Sequence, residues 1–127
     1  RLGSLHRNTF INSPKLLQPT LQTIASPQTF LAGQLIGVEG YVESSAAGLL
    51  AAINLARMVR GQACLVPPPA TAIGSLVAYV TDRERREFQP MNANYGLVPP
   101  LGQRLRGREK RLALAARARV ELERWLN

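Results

Sequence analysis

The chain has 127 residues, of which 46% are hydrophobic, so it can fold as one domain with a modest core and does not have the composition of a disordered protein. Its single cysteine, Cys64, excludes an internal disulfide and cannot form a zinc site alone. The net charge of +8 and a sequence pI of about 11.1 favour polyanionic partners, above all nucleic acid.

The first 28 residues carry few periodic signals. Pro14, Pro19 and Pro27 mark breaks, because the residue before a proline avoids the helical region. The segment around His6, the only histidine, is expected to be extended. The chain does not begin with Met and has no apolar leader, so we expect a fragment or a processed chain. The single cysteine leads us to expect an intracellular protein.

A glycine-rich turn follows. Residues 29–33 form a short apolar run that predicts a buried strand, and Gly33, Gly37 and Gly40 separate it from a predicted helix over residues 44–60. A helix start presents unpaired N–H groups and partial positive charge, which suit an anionic or electron-rich part of a cofactor. The spacing differs from the G-x-G-x-x-G of a first dinucleotide-binding turn, and a turn that merely seats a helix on a sheet is an equal alternative.

The predicted helix over residues 44–60 is apolar nearly all round, so we expect it to be buried on more than one side. Asn54 and Arg57 interrupt it, and we expect it to be too short to span a membrane. Gly61 is expected to end it. A lone cysteine between apolar neighbours is expected to be structural.

The rest of the chain divides into four segments. We expect an extended connector over residues 62–70, a helix over 71–82, irregular structure over 83–107 and a helix over 108–126. Residues 104–127 hold eight basic and three acidic side chains, so they carry +5 of the net charge. One strand has few predicted neighbours, and we expect an α/β fold, mostly helical with a few strands, whose remaining sheet lies upstream.

Four segments together resemble a known family. They are LHRNTFINSPKLL at residues 5–17, FLAGQLIGVEGYVESSAAGLL at 30–50, GSL at 74–76 and FQPMNANYGL at 88–97. They are similar to the C-terminal portion of the TrmFO (Gid) family of folate- and FAD-dependent tRNA uracil-5 methyltransferases. The resemblance covers nearly the whole chain, with the four segments in order.

The resemblance implies a cytoplasmic flavoprotein with a Rossmann-like FAD-binding domain of the two-dinucleotide-binding type. It implies formation of ribothymidine in the tRNA T-loop, with the carbon from methylenetetrahydrofolate, the hydride from reduced FAD and NAD(P)H as reductant. Residues 1–28 would end the insertion region and return to the FAD domain. Residues 29–82 would form the last part of that domain, and residues 83–127 an irregular loop and a basic helix.

The resemblance also implies roles for individual residues. Glu39 and Tyr41 would be catalytic, orienting folate or relaying a proton. His6 and Arg7 would bind folate, with His6 stacking on the pterin. The residues expected to bind FAD are Gly33, Gln34, Gly37, Val38, Gly40 and Ser44; those expected to contact tRNA are Arg104, Arg106 and Arg108. No metal is expected, and Cys64 matches neither of the family's catalytic cysteines.

Simpler alternatives remain open at these positions. Glu39 could cap the helix and Tyr41 could pack in the core, and Arg117 and Arg119 could pair with acidic residues on their own helix. The related GidA-like family, which modifies the tRNA wobble uridine, shares the Gly-Gln-x-x-Gly turn. A basic RNA-binding module without chemistry is the third alternative. No membrane partner is expected, and an isolated fragment is expected to self-associate through its apolar helix.

Overall fold

Four α-helices and one short 3-10 helix make up the regular structure of the computed structural model, which describes residues 9–127. His6 and Arg7 lie outside the described residues. The elements, in order, are α1 (Ser13–Leu16), the 3-10 helix (Gly33–Ile36), α2 (Tyr41–Val59), α3 (Ala72–Val80) and α4 (Gly107–Leu126). The connector and the irregular region have the predicted character, and the three longer helices match predicted ones to within a few residues.

The apolar run before the glycine turn is not a strand. Across residues 9–127 the structure contains only isolated β-bridges, which join Leu17 to Thr23, Gln22 to Phe30 and Val38 to Met91. The Thr23 N–H donates to the Thr29 carbonyl and the Leu31 N–H to the Leu21 carbonyl, and this bridge at Phe30 does not continue as a ladder. The prediction of a strand over residues 29–33 is wrong for this chain, because an extended segment becomes a strand only where a neighbouring segment pairs with it.

Helix α3 lies at the centre of the core. Thr71 caps it by accepting a hydrogen bond at Oγ1 from the Gly74 N–H (3.0 Å). Leu76, Val77 and Val80, which lie on one side of this helix, are fully buried. They pack in one cluster whose other buried members are Leu17, Leu21, Ile36, Val38, Ala47, Leu50, Ala51 and Tyr79.

Gly74 allows the connector to cross α3 at close range. A Cβ at this position would overlap the Pro68 carbonyl group, with the Pro67 carbonyl oxygen only 2.8 Å away. Any side chain would therefore push α3 away from the connector. This contact explains why the Gly-Ser-Leu segment at 74–76 begins with glycine.

Helix α2 is buried along one side only, which corrects the expectation of burial on several sides. Ala47, Leu50, Ala51 and Asn54 are buried, but Val42 is 80% exposed and Leu49 63%. The helix ends at Val59, and Gly61 follows with a φ of +69°, as expected for a glycine stop.

The expectation that this helix is too short to span a membrane is also wrong. By length and composition alone α2 could cross one, with a mean hydropathy of 1.2, and only 22% of that stretch is buried. Apolar helices in the core of soluble proteins meet the same criterion. One side of α2 is fixed to the core through Asn54, which hydrogen-bonds to Thr20 and Leu65.

Helix α4 packs through a narrow contact. Only Leu114 is buried, while Leu112, Val120 and Leu126 are largely exposed. Arg117 ties the helix to the preceding loop by donating hydrogen bonds to the Pro99 and Pro100 carbonyl oxygens.

Candidate functional site

The glycine turn is built from the 3-10 helix and the residues after it. Gly33, Gly37 and Gly40 have φ values of +68°, +83° and +92°, a region that other residues rarely adopt. The Gly37 N–H donates to the Gln34 carbonyl (3.0 Å), and the Val38 N–H donates to the Gly33 carbonyl (3.3 Å). The prediction of a tight glycine turn before a helix is confirmed.

A distant loop clasps this turn. The Met91 N–H donates to the Gly37 carbonyl, and the Glu39 N–H donates to the Met91 carbonyl, each at 2.9 Å. These two bonds lie on either side of Val38 and form its parallel bridge with Met91. The second and fourth segments of the family resemblance therefore meet in space.

The start of α2 lacks a side-chain cap. Gly40 occupies the cap position and has no side chain with which to hydrogen-bond the first amides. The Glu43 carboxylate bends back toward Gly40, so closely that a Cβ there would overlap it. Its negative charge lies near the positive end of the helix dipole, which stabilises the helix start. The first-turn backbone N–H groups remain suited to an external acceptor.

A small open cavity of about 210 Å³ lies at this helix start. Five residues line it, namely Gln34, Val38, Gly40, Tyr41 and Ser44. Each of them carried a sequence-based assignment to cofactor binding or catalysis. The Ser44 hydroxyl donates to the Val38 carbonyl (3.3 Å), which links the helix to the turn.

The structure places the remaining predicted turn residues beside this cavity rather than in its lining. Gly33 faces the Ser44 side chain, with 3.6 Å from its ideal Cβ position to the Ser44 Cβ. Gly37 faces the ring of Phe88. Glu39 is half-buried and is fixed through its backbone N–H to Met91.

Tyr41 is 96% exposed at the mouth of the cavity. The alternative that it packs in the core is therefore wrong for this chain. The other alternative, that Glu39 caps α2, stays a prediction.

The basic residues fall into two groups. Arg104, Arg106 and Arg108 are exposed at and before the start of α4, and no ion pair within residues 9–127 involves them. Further along α4, Arg119 pairs with Glu123 and Arg124 with Glu121, each at 2.8 Å. The expected pairing on the helix surface is confirmed for Arg119, whereas Arg117 binds backbone carbonyls instead.

Sequence reasoning missed the residues that hold the turn in place. Phe88 covers Gly37, Met91 bonds on both sides of Val38, and the Tyr79 hydroxyl donates to the Gln89 carbonyl (2.9 Å). No local pattern announces these contacts, because each joins segments far apart in sequence. The one available signal was that residues 88–97, which contain Phe88, Gln89 and Met91, form the fourth segment of the family resemblance.

Larger cavities lie elsewhere, and their lining is mostly apolar. One of about 620 Å³ lies beside α3 and the connector, one of about 590 Å³ lies among α2, α3 and α4, and one of about 550 Å³ lies between α4 and the loop at residues 93–98. The described residues contain no group of three or more potential metal ligands. The residues that the family resemblance assigns to the cofactor meet at the small cavity beside the glycine turn.

The chain is similar in sequence to a family profile and to curated proteins. A family profile described as "Glucose inhibited division protein A" matches residues 1–63. The chain is 58% identical over 126 residues to the methylenetetrahydrofolate--tRNA-(uracil-5-)-methyltransferase TrmFO of Geobacter sulfurreducens, covering 99% of this chain and 29% of the relative. It is 57% identical over 126 residues to the protein of the same name from Moorella thermoacetica, covering 98% and 28%.

A solved structure is similar as well. The Aquifex aeolicus GidA structure, in its form II crystal, aligns with a TM-score of 0.51 and 32% sequence identity over 54% of this chain and 11% of that chain. The chain spans about 29% of the length of the curated relatives it matches and corresponds to their C-terminal portion.

Proposed function

Because the chain belongs to the TrmFO family, we propose that it is the C-terminal portion of a methylenetetrahydrofolate- and FAD-dependent tRNA uracil-5 methyltransferase. The observation that carries the proposal is the glycine turn. Its five cavity-lining residues include four assigned to FAD and one assigned to catalysis. In this proposal residues 29–82 complete a Rossmann-like FAD domain whose sheet lies elsewhere in the protein.

The residues present fit an edge of FAD. The uncapped start of α2 offers backbone N–H donors and partial positive charge, which suit the electron-rich pyrimidine edge of a flavin. Gly40 is needed for this helix start, because a Cβ there would overlap the Glu43 carboxylate. Gln34 and Ser44 add polar side chains to the same lining. When bound, FAD would supply the hydride that reduces the transferred carbon to a methyl group.

Glu39 and Tyr41 are the proposed catalytic residues of this chain. Tyr41 projects into solvent at the cavity mouth, where a phenol can contact a folate that stacks on the flavin. Glu39 lies two residues before it on the clasped turn, and its carboxylate can orient folate or relay a proton. His6 and Arg7 are proposed to bind folate; they lie outside the described residues and precede Phe10, which packs on Phe88.

The RNA-binding part of the proposal rests on charge. Arg104, Arg106 and Arg108 are exposed cations without carboxylate partners in the described part of the chain, so they can pair with tRNA phosphates at little desolvation cost. The proposal also includes the T-loop uridine as the target, NAD(P)H as the reductant and a cytoplasmic location. It keeps the three segments of the chain at residues 1–28, 29–82 and 83–127. Self-association of the isolated fragment through the exposed side of α2 is proposed as well.

A wobble-uridine modification protein related to GidA is the second candidate. The family profile and the Aquifex aeolicus structure favour it, since both concern GidA. Sequence identity favours the first candidate. The relatives named as uracil-5 methyltransferases are 52–58% identical over nearly the whole chain, whereas the GidA structure is 32% identical over about half of it.

The test uses the complete reading frame that contains this chain. The purified protein is examined for a flavin absorption spectrum and then given methylenetetrahydrofolate, NAD(P)H and tRNA with an unmodified T-loop. A flavin spectrum with ribothymidine formation is the expected result. Flavin without ribothymidine would favour the GidA-like candidate, and a colourless protein that binds RNA would overturn both.

A further inference from the structure

We propose that Phe88 is a positioning residue for the cofactor turn, a role that acts through Gly37 rather than on the cofactor itself. The inference rests on the proposed function and deepens it. It assigns to the segment at residues 88–91 the task of fixing the backbone that lines the small cavity. Nothing in the sequence pattern of this segment suggests a catalytic group.

Phe88 and Gly37 occupy complementary space. The edge of the Phe88 ring lies where a side chain at residue 37 would be, with its Cε1 atom 2.9 Å from the ideal Cβ position. Gly37 has a left-handed φ of +83°, which directs the following residues toward the cavity. The Phe88 ring therefore packs against the turn at Gly37, and this packing is possible because residue 37 has no side chain.

Phe88 is itself held by aromatic contacts. The Phe10 ring meets it edge-on at a centroid distance of 6.0 Å, and the Tyr79 ring lies at 5.9 Å. Arg85 stacks 4.1 Å above the Tyr79 ring on a cation–π contact. The Tyr79 hydroxyl also binds the Gln89 carbonyl, so the residue after Phe88 is fixed to α3. A planar ring held on several sides makes a rigid support.

The support reaches the cavity through Val38. Met91 bonds to the Gly37 carbonyl and to the Glu39 N–H, so the Val38 peptide groups cannot rotate independently of residues 88–91. Val38 lines the cavity, and its carbonyl accepts the Ser44 hydroxyl. Displacing Phe88 would release Gly37 and shift this lining. Small misplacements of a binding site are costly because the site must match its ligand within fractions of an ångström.

The experiment measures FAD affinity in the complete protein with a Phe88→Leu variant. Leu keeps an apolar side chain but leaves the space behind Gly37 partly unfilled. We expect the FAD dissociation constant, measured by flavin fluorescence, to increase at least tenfold. We also expect the shape of the flavin absorption spectrum to change. If the variant does not fold, Phe88→Met supplies a more volume-conserving replacement for the same measurements.

A matched control separates positioning from general stability. Leu114→Ala removes buried methyl groups from α4, outside the buried cluster that holds the turn, and its melting temperature should fall as in Phe88→Leu. Its FAD dissociation constant should change less than twofold. Equal changes in the two variants, or none in either, would overturn the positioning role. A wild-type protein without flavin would instead overturn the proposed function and this inference with it.

Discussion

Asn54 and Leu65 are joined by a pair of hydrogen bonds that resembles the pairing of two peptide groups. The Asn54 amide donates to the Leu65 carbonyl (2.9 Å) and accepts from the Leu65 N–H (2.7 Å). The same amide nitrogen donates to the Thr20 carbonyl (3.0 Å). Asn54 is 0% exposed. One buried polar side chain therefore fixes α2 to both the N-terminal region and the connector.

We expect Asn54→Leu to destabilise the protein by about 2–4 kcal/mol, because it leaves buried backbone groups of Thr20 and Leu65 without partners. Urea unfolding followed by circular dichroism measures the change. Asn92→Ala alters an exposed asparagine and should stay within about 0.5 kcal/mol of wild type. An equal loss in both variants would contradict the importance of the Asn54 bonds.

Two helical glycines should respond oppositely to alanine. Gly74→Ala places a methyl group on the Pro68 carbonyl and should cost about 1–3 kcal/mol or more. Gly48→Ala in α2 meets no atom within 4 Å and should stabilise by about 0.5–1 kcal/mol. Thermal melting of the two variants gives the comparison. A neutral Gly74→Ala would show that the connector does not cross α3 as closely as described.

Arg117 should matter more for α4 than Arg119 does. Arg117→Met removes the bonds to the Pro99 and Pro100 carbonyls and should increase amide hydrogen exchange along α4 at least several-fold. Arg119→Met breaks only an exposed ion pair with Glu123, worth about 0.3–0.5 kcal/mol. Exchange followed by mass spectrometry distinguishes them, and indistinguishable exchange would show that α4 is held by Leu114 alone.

Replacing Arg104, Arg106 and Arg108 together by Gln should weaken tRNA binding and reduce its salt dependence. Loss of three phosphate contacts lowers the slope of log affinity against log salt by about 2–3. Filter binding at several salt concentrations measures it. The control replaces three other exposed arginines, Arg60, Arg119 and Arg124; Arg60 lies at the far end of α2 from the glycine turn.

The comparison of the two arginine triples is informative because both remove the same net charge. If the slope falls equally in both, the interaction follows overall charge and the assignment of the first group to tRNA is wrong. If only the first triple changes the slope, the exposed cations around the start of α4 make the contact.

The helices and the turn could be predicted from the sequence because their signals are local. The stripe of Leu76, Val77 and Val80 has helical spacing, and Gly37 and Gly61 mark backbone that only glycine adopts easily. The assignment of the residues that line the candidate cavity came from the family resemblance. Helical spacing and glycine positions can both be recognised within short stretches of chain.

The errors arose where structure depends on distant partners. The apolar run at residues 29–33 has strand character, but within the described region only Gln22 pairs with Phe30. The composition of α2 predicts burial, yet Leu49 and Val59 are exposed because nothing in residues 9–127 covers that side. The Phe88–Gly37 contact is equally invisible, since neither residue indicates the position of the other.

The clasp between Gly37 and Met91 also bears on the order in which the protein assembles during synthesis. Helices α2 and α3 both lie between these residues in the chain, so the glycine turn cannot be locked until α3 and the segment after it have left the ribosome. Contacts between distant residues close late because the intervening chain must first be ordered. A cofactor that depends on this turn would be loaded only after residues 88–91 have been synthesised, later than the helices α2 and α3 that frame its site.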